Sequence, residues 1–346
     1  MHQIQDGGLD RAAARPRTDA PGDTRPAPIG DRLRHGVSLA RDGHVGEALA
    51  VVEALLTHPD PDVEDLVLAL ATAQDCRLAR GDVGDALALA ERLAPYLSQP
   101  GRTGALAQHA AGELAAALNE VEVAAGHFAA SGALLVDSPD READAQLVPW
   151  RVGAALSAVR LGRRGEGAML AREQHELAAG TASGAALALR TLAATEAGGG
   201  RTALLRRAAV VLAPLRYGRL AAQVDTDLAG LLLLGGTHDG ERAEAVSLLR
   251  RAEEHAGRHQ LWPLQTRVRG LLDRAGEPAR RSPHEVLATL TVPQRRVTAL
   301  AAEGLTNRRI ADELGVSVKA VEAHLSLVYR KLGIRSRGGL GPALGA

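Results

Sequence analysis

Four side chains near the carboxyl end of the sequence have the chemistry to contact nucleic-acid bases. They follow one another at positions i, i+3, i+4 and i+7: Lys319, Glu322, Ala323 and Ser326. In an α-helix this spacing places all four on one face. A lysine ammonium can donate to guanine O6 and N7, a glutamate can accept from cytosine N4, and an alanine can contact the thymine methyl. A helix face with these residue types is able to contact base edges of double-stranded DNA.

The sequence predicts two short helices, joined by a tight turn, that would position these side chains. Thr306 is a candidate N-cap for the first helix, Ser317 for the second, and Gly315 supplies the turn. Apolar residues recur at helical spacing in both segments: Ile310, Ala311 and Leu314, then Val321, Leu325, Val328 and Leu332. Because the apolar stripe of the second helix is narrow, the four side chains above and Arg330 face outward. This is the layout of a helix-turn-helix whose second helix enters the DNA major groove.

Four consecutive sequence blocks in this region resemble the LuxR-type (GerE-like) helix-turn-helix domain. The blocks are L-T-x-x-x-R-x-V from Leu290, G-L-T-N-R-x-I-A from Gly304, V-S-x-K-x-V-E-x-H-L from Val316, and Y-R-K-L-G-I-R-S-R from Tyr329. The resemblance extends from about Leu287 to Leu340. The alternative is a small helical bundle with no role in DNA binding.

The resemblance implies roles for individual residues. Lys319, Glu322, Ala323 and Ser326 occupy the base-facing positions of the family's recognition helix, which spans about residues 317–332. The positions that would face phosphate are Thr306, Asn307, Arg308, Ser317, Tyr329, Arg330, Lys331, Arg335 and Arg337. Several of these lie at helix N-termini, where backbone amides and the helix dipole favour an anion. For each of these residues the alternative is a place on a generic charged surface, without a role in DNA binding.

The sequence departs from the family pattern at four places. Ala320 replaces the usual threonine of the recognition helix, Arg309 replaces the glutamate of a capping box, and Gln294 replaces the usual glutamate of the opening helix. Residues 338–346, where the family has a fourth, dimer-forming helix, are rich in glycine and contain Pro342. Pairing of two copies through that helix is therefore not expected.

Charge is distributed unevenly along the chain. The whole sequence has 41 basic and 41 acidic residues, whereas residues 283–346 have nine Lys and Arg against five Asp and Glu. That segment carries +4 and the remainder −4. A basic segment attached to a mildly acidic remainder favours a partner with phosphates at one end.

The long segment before this region predicts helical repeats. Val45-Gly-Glu-Ala-Leu-Ala50 and Val83-Gly-Asp-Ala-Leu-Ala88 are offset by 38 residues, and Val121 to Ala124 continues the offset. Weaker echoes place the small residue at Ala168, Ala203 and Ala245. A small residue after each turn lets two antiparallel helices approach closely, and stacked hairpins bury a continuous core. The segment resembles degenerate tetratricopeptide-like repeats; a compact helical bundle is the alternative.

The order of the parts resembles the C-terminal half of the large ATP-binding LuxR-family regulators, without their NTPase domain. In that family the helical region is taken to sense ligands or partners. The sequence has two lysines, Lys319 and Lys331, and both lie in the DNA-binding region. Gly198-Gly-Gly-Arg-Thr202 comes nearest to a phosphate-binding loop, but Arg201 stands where lysine is required. An ATP-coupled regulator would need a nucleotide site that these residues do not show.

The other candidate reactive groups do not indicate an enzyme active site, a metal site or a cofactor site. His255 and His259 lie at i, i+4, the spacing of two metal ligands on a helix, but Ala256 stands where a zinc protease has glutamate. We expect the two imidazoles on a solvated helix face. Cys76 is the single cysteine, so no intrachain disulfide forms, and no apolar run approaches the roughly 18 residues of a membrane span.

The sequence therefore predicts an all-α, cytoplasmic transcription regulator that binds promoter DNA. The predicted parts are a disordered lead-in over residues 1–30, a tetratricopeptide-like domain over 31–274, a linker over 275–283, and a LuxR-type helix-turn-helix domain over 284–346. The helical repeats are expected to bind a protein partner or effector, to provide any homodimer contact, and to make no membrane contact. The alternative is an interaction scaffold whose DNA-binding domain has been weakened.

Overall fold

The computed structural model describes residues 29–57, 61–235, 239–277, 292–332, 334 and 336–340, and these residues form helices and turns without a strand. We call residues 29–277 the helical body and residues 292–340 the C-terminal domain. The predicted lead-in up to residue 28 and residues 278–283 of the predicted linker lie outside the described residues. The predicted all-α fold is confirmed for the described part of the chain.

The helices of the body are α1 (Ile29–Arg41), α2 (Val45–Leu56), α3 (Val63–Arg80), α4 (Val83–Leu93), α5 (Gly101–Ala117), α6 (Val121–Leu134), α7 (Arg141–Leu147), α8 (Trp150–Arg160), α9 (Arg164–Ala178), α10 (Ala182–Thr195), α11 (Gly200–Leu212), α12 (Arg219–Gly235), α13 (Asp239–Arg258) and α14 (Trp262–Arg274). The C-terminal domain contains α15 (Val292–Ala302), α16 (Asn307–Leu314), α17 (Val318–Leu332) and a short 3₁₀ turn (Arg337–Gly339). Within the described ranges, none of these helices has the length and apolar character that crossing a membrane requires.

The body is built from helical hairpins that stack on one another. Consecutive helices pack as the pairs α1–α2, α3–α4, α5–α6, α8–α9, α10–α11 and α12–α13. In the first four pairs the connecting turn contains a residue in the left-handed conformation: Gly43, Gly81, Asn119 and Gly162. Such a residue closes a helix and reverses the chain. This arrangement confirms the tetratricopeptide-like architecture predicted from the sequence.

The repeat register predicted from the sequence is correct for the first three units and wrong for two later ones. Ala48, Ala86 and Ala124 each lie five residues after the left-handed residue and are fully buried. In the fourth unit that position is the buried Gly167, not Ala168, and Ala203 is exposed. Ala245 is fully buried, as predicted. The turn defines the register, whereas an alanine-rich sequence offers several small residues near each turn.

Phe128 fills the contact between α5, α6 and α8. It is buried to 1% exposure, and its ring rests on two glycines, Gly112 of α5 and Gly153 of α8. A Cβ atom at Gly153 would lie 2.3 Å from the ring, and one at Gly112 would lie 2.7 Å from it. The two glycines therefore form the space that admits the aromatic ring between the helices.

The first and last helices of the body meet. Leu33 and Val45 share a buried cluster with Leu261, which precedes α14. Arg219, at the start of α12, donates through both terminal nitrogens to the carboxylate of Asp75 on α3, at 2.7 and 3.1 Å. Its backbone N–H also donates to the carbonyl of Asp42 after α1, at 3.2 Å. The stacked hairpins thus turn far enough for α12–α14 to pack on α1–α3.

Candidate nucleic-acid interface

The C-terminal domain is held together by one apolar cluster that fixes α15, α16 and α17. Its buried members include Val297 of α15, Ile310 and Ala311 of α16, and Val321, Leu325 and Val328 of α17. The apolar stripes predicted for the helix-turn-helix are confirmed at these positions. The side chain of Leu332, predicted in the same stripe, lies outside the described residues.

The two predicted helix starts and the turn between them are confirmed. Thr306 Oγ1 accepts a hydrogen bond from the Arg309 N–H at 3.4 Å, and Ser317 Oγ accepts one from the Ala320 N–H at 3.2 Å. Gly315 ends α16 in the left-handed conformation, with φ of 65°. These local bonds set the entry of each helix.

The four predicted base-facing residues lie on the solvent side of α17. Lys319, Glu322, Ala323 and Ser326 are all exposed, whereas Val321 and Leu325, on the same helix, are fully buried or nearly so. A helix with one buried and one exposed face presents the exposed side chains together. The arrangement places one ammonium, one carboxylate, one methyl and one hydroxyl on a single accessible face.

The predicted phosphate-facing residues are only partly brought together. Thr306, Arg308, Ser317 and Arg330 are exposed at the ends of α16 and α17. Tyr329 is half-buried and packs on the apolar cluster. The side chains of Lys331 and Arg335 lie outside the described residues, so their roles stay predictions.

Arg337 has a structural role that the sequence analysis missed. Its Nε and one terminal nitrogen donate to the carbonyl of Ala301 at 3.2 and 3.0 Å, and it also donates to the carbonyl of Leu305. The other terminal nitrogen donates to Asn307 Oδ1 at 3.1 Å. These bonds use most of the donors of a guanidinium. We therefore remove Arg337 from the expected phosphate contacts and assign it to holding the α15–α16 turn; Asn307 is engaged by the same arginine.

Two residues at or near the departures from the family pattern are buried. Leu340 is fully buried in the apolar cluster, although the sequence around it reads as a glycine-rich tail. Gln294 is buried to 7% exposure in α15, where a neutral amide costs less to desolvate than a carboxylate. Residues 341–346, most of the segment in which no fourth helix was predicted, lie outside the described residues.

Residues 288–340 match the luxR family of bacterial regulatory proteins, GerE. The C-terminal domain is a LuxR-family helix-turn-helix domain. An HTH-type transcriptional regulator of Mycobacterium bovis is 44% identical over 62 residues, which are 18% of this chain and 7% of that protein. The transcriptional regulatory protein SgaR of Hyphomicrobium methylovorum is 41% identical over 54 residues, 16% of this chain and 26% of that protein. This chain thus spans a small fraction of the length of either relative, and the likeness concerns the LuxR-family domain.

A crystal structure of a Rap protein in complex with competence and sporulation factor resembles the chain as a whole. The TM-score is 0.50 at 10% sequence identity, over 92% of this chain and 94% of that one. At so low an identity the likeness concerns the fold. It agrees with a body of stacked helical hairpins preceding the LuxR-family domain.

His255 of α13 is buried and His259, just after the end of that helix, is half-buried, so the prediction of a solvated face is wrong. His255 is 4% exposed, and its ring centroid lies 4.5 Å from that of His259 and 5.3 Å from that of Tyr217. His44, before α2, brings a third ring to 4.7 Å from His259. The turn between α1 and α2, which carries His44, covers this helix face, which periodicity alone would leave open. Among the described residues, no group of three or more His, Cys, Asp and Glu side chains is arranged to hold a metal ion.

Burial of these histidines changes their protonation. Loss of solvent, with the neighbouring His259 and Arg258 adding to it, lowers the pKa of His255 from 6.5 to about 3. Loss of solvent, with His44 and Arg258 adding to it, lowers the pKa of His259 from 6.5 to about 4. Both rings are therefore neutral at neutral pH, because loss of solvent and the neighbouring positive groups outweigh the opposing effect of Glu47 on His259.

Proposed function

We propose that this protein is a DNA-binding transcription regulator whose helix α17 enters the major groove. The observation that carries the proposal is the exposed face of α17, with Lys319, Glu322, Ala323 and Ser326, in a domain of the LuxR family. A recognition helix needs polar side chains on one face and a buried stripe on the other, so that its backbone is held rigidly while base edges are contacted. Phosphate contacts by Thr306, Arg308, Ser317 and Arg330 would fix its orientation.

Alanine at Lys319 or Glu322 is expected to change sequence preference. Each good side-chain contact with a base edge is worth about 1–3 kcal/mol of discrimination at one or two base pairs. Binding-site selection from random DNA, with wild type and each variant, measures the change. Arg172→Ala is the matched control, because Arg172 is an exposed residue of α9 in the helical body. An unchanged preference in Lys319→Ala would contradict the placement of α17 in the groove.

Alanine at Arg330 is expected to weaken binding to all sequences alike. Arg330 is exposed near the end of α17, one helical turn beyond Ser326 and two turns beyond Glu322 and Ala323. Loss of one phosphate contact reduces the slope of log K against log salt by about 0.9. Mobility-shift titrations at several salt concentrations, on one selected site and one unrelated fragment, measure both quantities. A change in sequence preference without a change in slope would assign Arg330 to base reading instead.

A regulator also needs a surface that receives a signal, and we propose that the helical body supplies it. The body is separated from the LuxR-family domain along the chain by residues 278–291, and its hairpins form their own buried clusters. The alternative of an interaction scaffold with weakened DNA binding predicts no shifted complex with any genomic fragment at low salt. The mobility-shift experiment thus separates the two functions. Homodimerisation through the body stays a prediction.

A further inference from the structure

The helical body contains a pocket of about 600 Å³ between α10, α11, α12 and α14. This volume lies in the range of sites for small molecules. One part of the lining is charged: Arg190, Arg201, Arg267, Arg274 and Asp227. Arg201 is also the residue that stands where a phosphate-binding loop requires lysine.

The charges of this pocket do not balance, since four guanidinium groups face one carboxylate. Asp227 pairs with Arg190 at 2.7 Å and with Arg267 at 2.5 Å, so that one acid serves two arginines. Arg201 donates its Nε–H to the carbonyl of Ala193 at 3.2 Å, which leaves its terminal nitrogens for other acceptors. Neither Arg201 nor Arg274 forms an ion pair with a residue that the structure describes. A concave site with an excess of one charge concentrates the opposite charge.

The other part of the lining is apolar and open. Leu205 and Leu271 are buried beneath it, whereas Leu234 is 80% exposed, an unusual position for a large aliphatic side chain. Gly270 of α14 also lines the pocket, and a Cβ atom there would meet nothing within 4 Å. The pocket therefore has room beside the arginines for an apolar group that would remove Leu234 from water.

We propose that this pocket binds a small anionic molecule that carries an apolar part. The carboxylate or phosphate lies between Arg201 and Arg274, which offer the paired N–H donors that both anions accept. The apolar part lies along Leu231 and Leu234 of α12. The proposal is independent of DNA binding, because every residue in it belongs to the helical body.

Calorimetric titration of the full chain with molecules of matched chain length tests the chemistry of the ligand. The probes are octyl phosphate, octanoate, octyltrimethylammonium and inorganic phosphate. We expect saturable binding of the first two and none of the cation, because the pocket attracts anions and has too few acids to hold an ammonium. Comparison of octyl phosphate with octanoate identifies the preferred head group, and weak binding of inorganic phosphate shows that the apolar part contributes. Equal binding of the cation, or no binding of either amphiphilic anion, overturns the proposal.

Substitutions then locate the site. Arg274→Ala is expected to weaken anion binding about tenfold, the loss of one charge-assisted contact. Gly270→Phe is expected to abolish binding by filling the pocket, whereas Gly270→Ala, at the same position, retains it. Arg172→Ala is the control for the loss of an exposed arginine elsewhere. If circular dichroism shows that Gly270→Phe does not fold, the location of the site is tested by Arg274→Ala, which is expected to fold because Arg274 is exposed. Unchanged anion affinity in Arg274→Ala would show that the anion does not bind at this site.

Discussion

Replacement of Phe128 by alanine is expected to lower the free energy of unfolding of the helical body by about 3–5 kcal/mol. Phe128 is the single phenylalanine of the chain and is 1% exposed between α5, α6 and α8. Its removal leaves a cavity against Gly112 and Gly153, which have no side chains to fill it. Urea denaturation followed by circular dichroism measures the loss. Met169→Ala, at a position that is 53% exposed, is the control and should change stability little.

A double-mutant cycle tests whether the absence of a side chain at Gly153 is required by the ring of Phe128. Gly153→Ala alone is expected to be destabilising, because its Cβ atom would lie 2.3 Å from the Phe128 ring. In the Phe128→Ala background the same change should be tolerated, because the methyl group then enters the cavity. Additive losses in the double mutant would show that Gly153 serves some purpose other than packing against Phe128.

The stability of the helical body is expected to fall as the pH is lowered from about 6.5 towards 4. The pKa of His255 is lowered to about 3 and that of His259 to about 4, chiefly by loss of solvent, whereas both take the ordinary value of 6.5 in the unfolded chain. Between these limits the unfolded chain binds protons that the folded chain does not, so acid favours unfolding. Each histidine contributes a slope of at most about 1.4 kcal/mol per pH unit.

Urea denaturation at a series of pH values between about 7 and 5 measures this slope. Loss of solvent also raises the pKa of Glu113 to about 7 and lowers that of His109 to about 4, so the difference in slope between wild type and variant reports the histidine pair. His255→Phe keeps an aromatic ring beside Tyr217 and His259 but removes one titrating group, so the slope should decrease. His35→Ala, at an exposed position of α1, is the control and should leave the slope unchanged. If His255→Phe retains the full slope, the acid sensitivity arises outside the histidine cluster.

The helix-turn-helix could be predicted from the sequence because the signals that define it are local. Thr306, Gly315 and Ser317 act on backbone groups within three or four residues, and the stripe from Val321 to Val328 repeats within one helix. The same is true of the first body repeats, in which turn and small residue recur at an offset of 38. In the fourth unit the repeat pattern is weaker, and the sequence predicted Ala168 where the structure has Gly167. Composition does not distinguish which of two adjacent small residues faces the partner helix.

The tertiary structure alone decided which surfaces are covered. The i, i+4 spacing of His255 and His259 places them on one face, but the burial of His255 and the partial burial of His259 depend on the turn that carries His44, more than 200 residues earlier in the chain. The ion pair between Arg219 and Asp75 likewise joins residues 144 positions apart. Arg337 is bound by carbonyl groups of Ala301 and Leu305, which carry no side-chain signal in the sequence. In the body, such contacts result from the small rotation between successive hairpins, summed over many hairpins. In the C-terminal domain, they result from the return of the chain to an earlier turn. Neither effect produces a local sequence pattern from which the contact could be predicted.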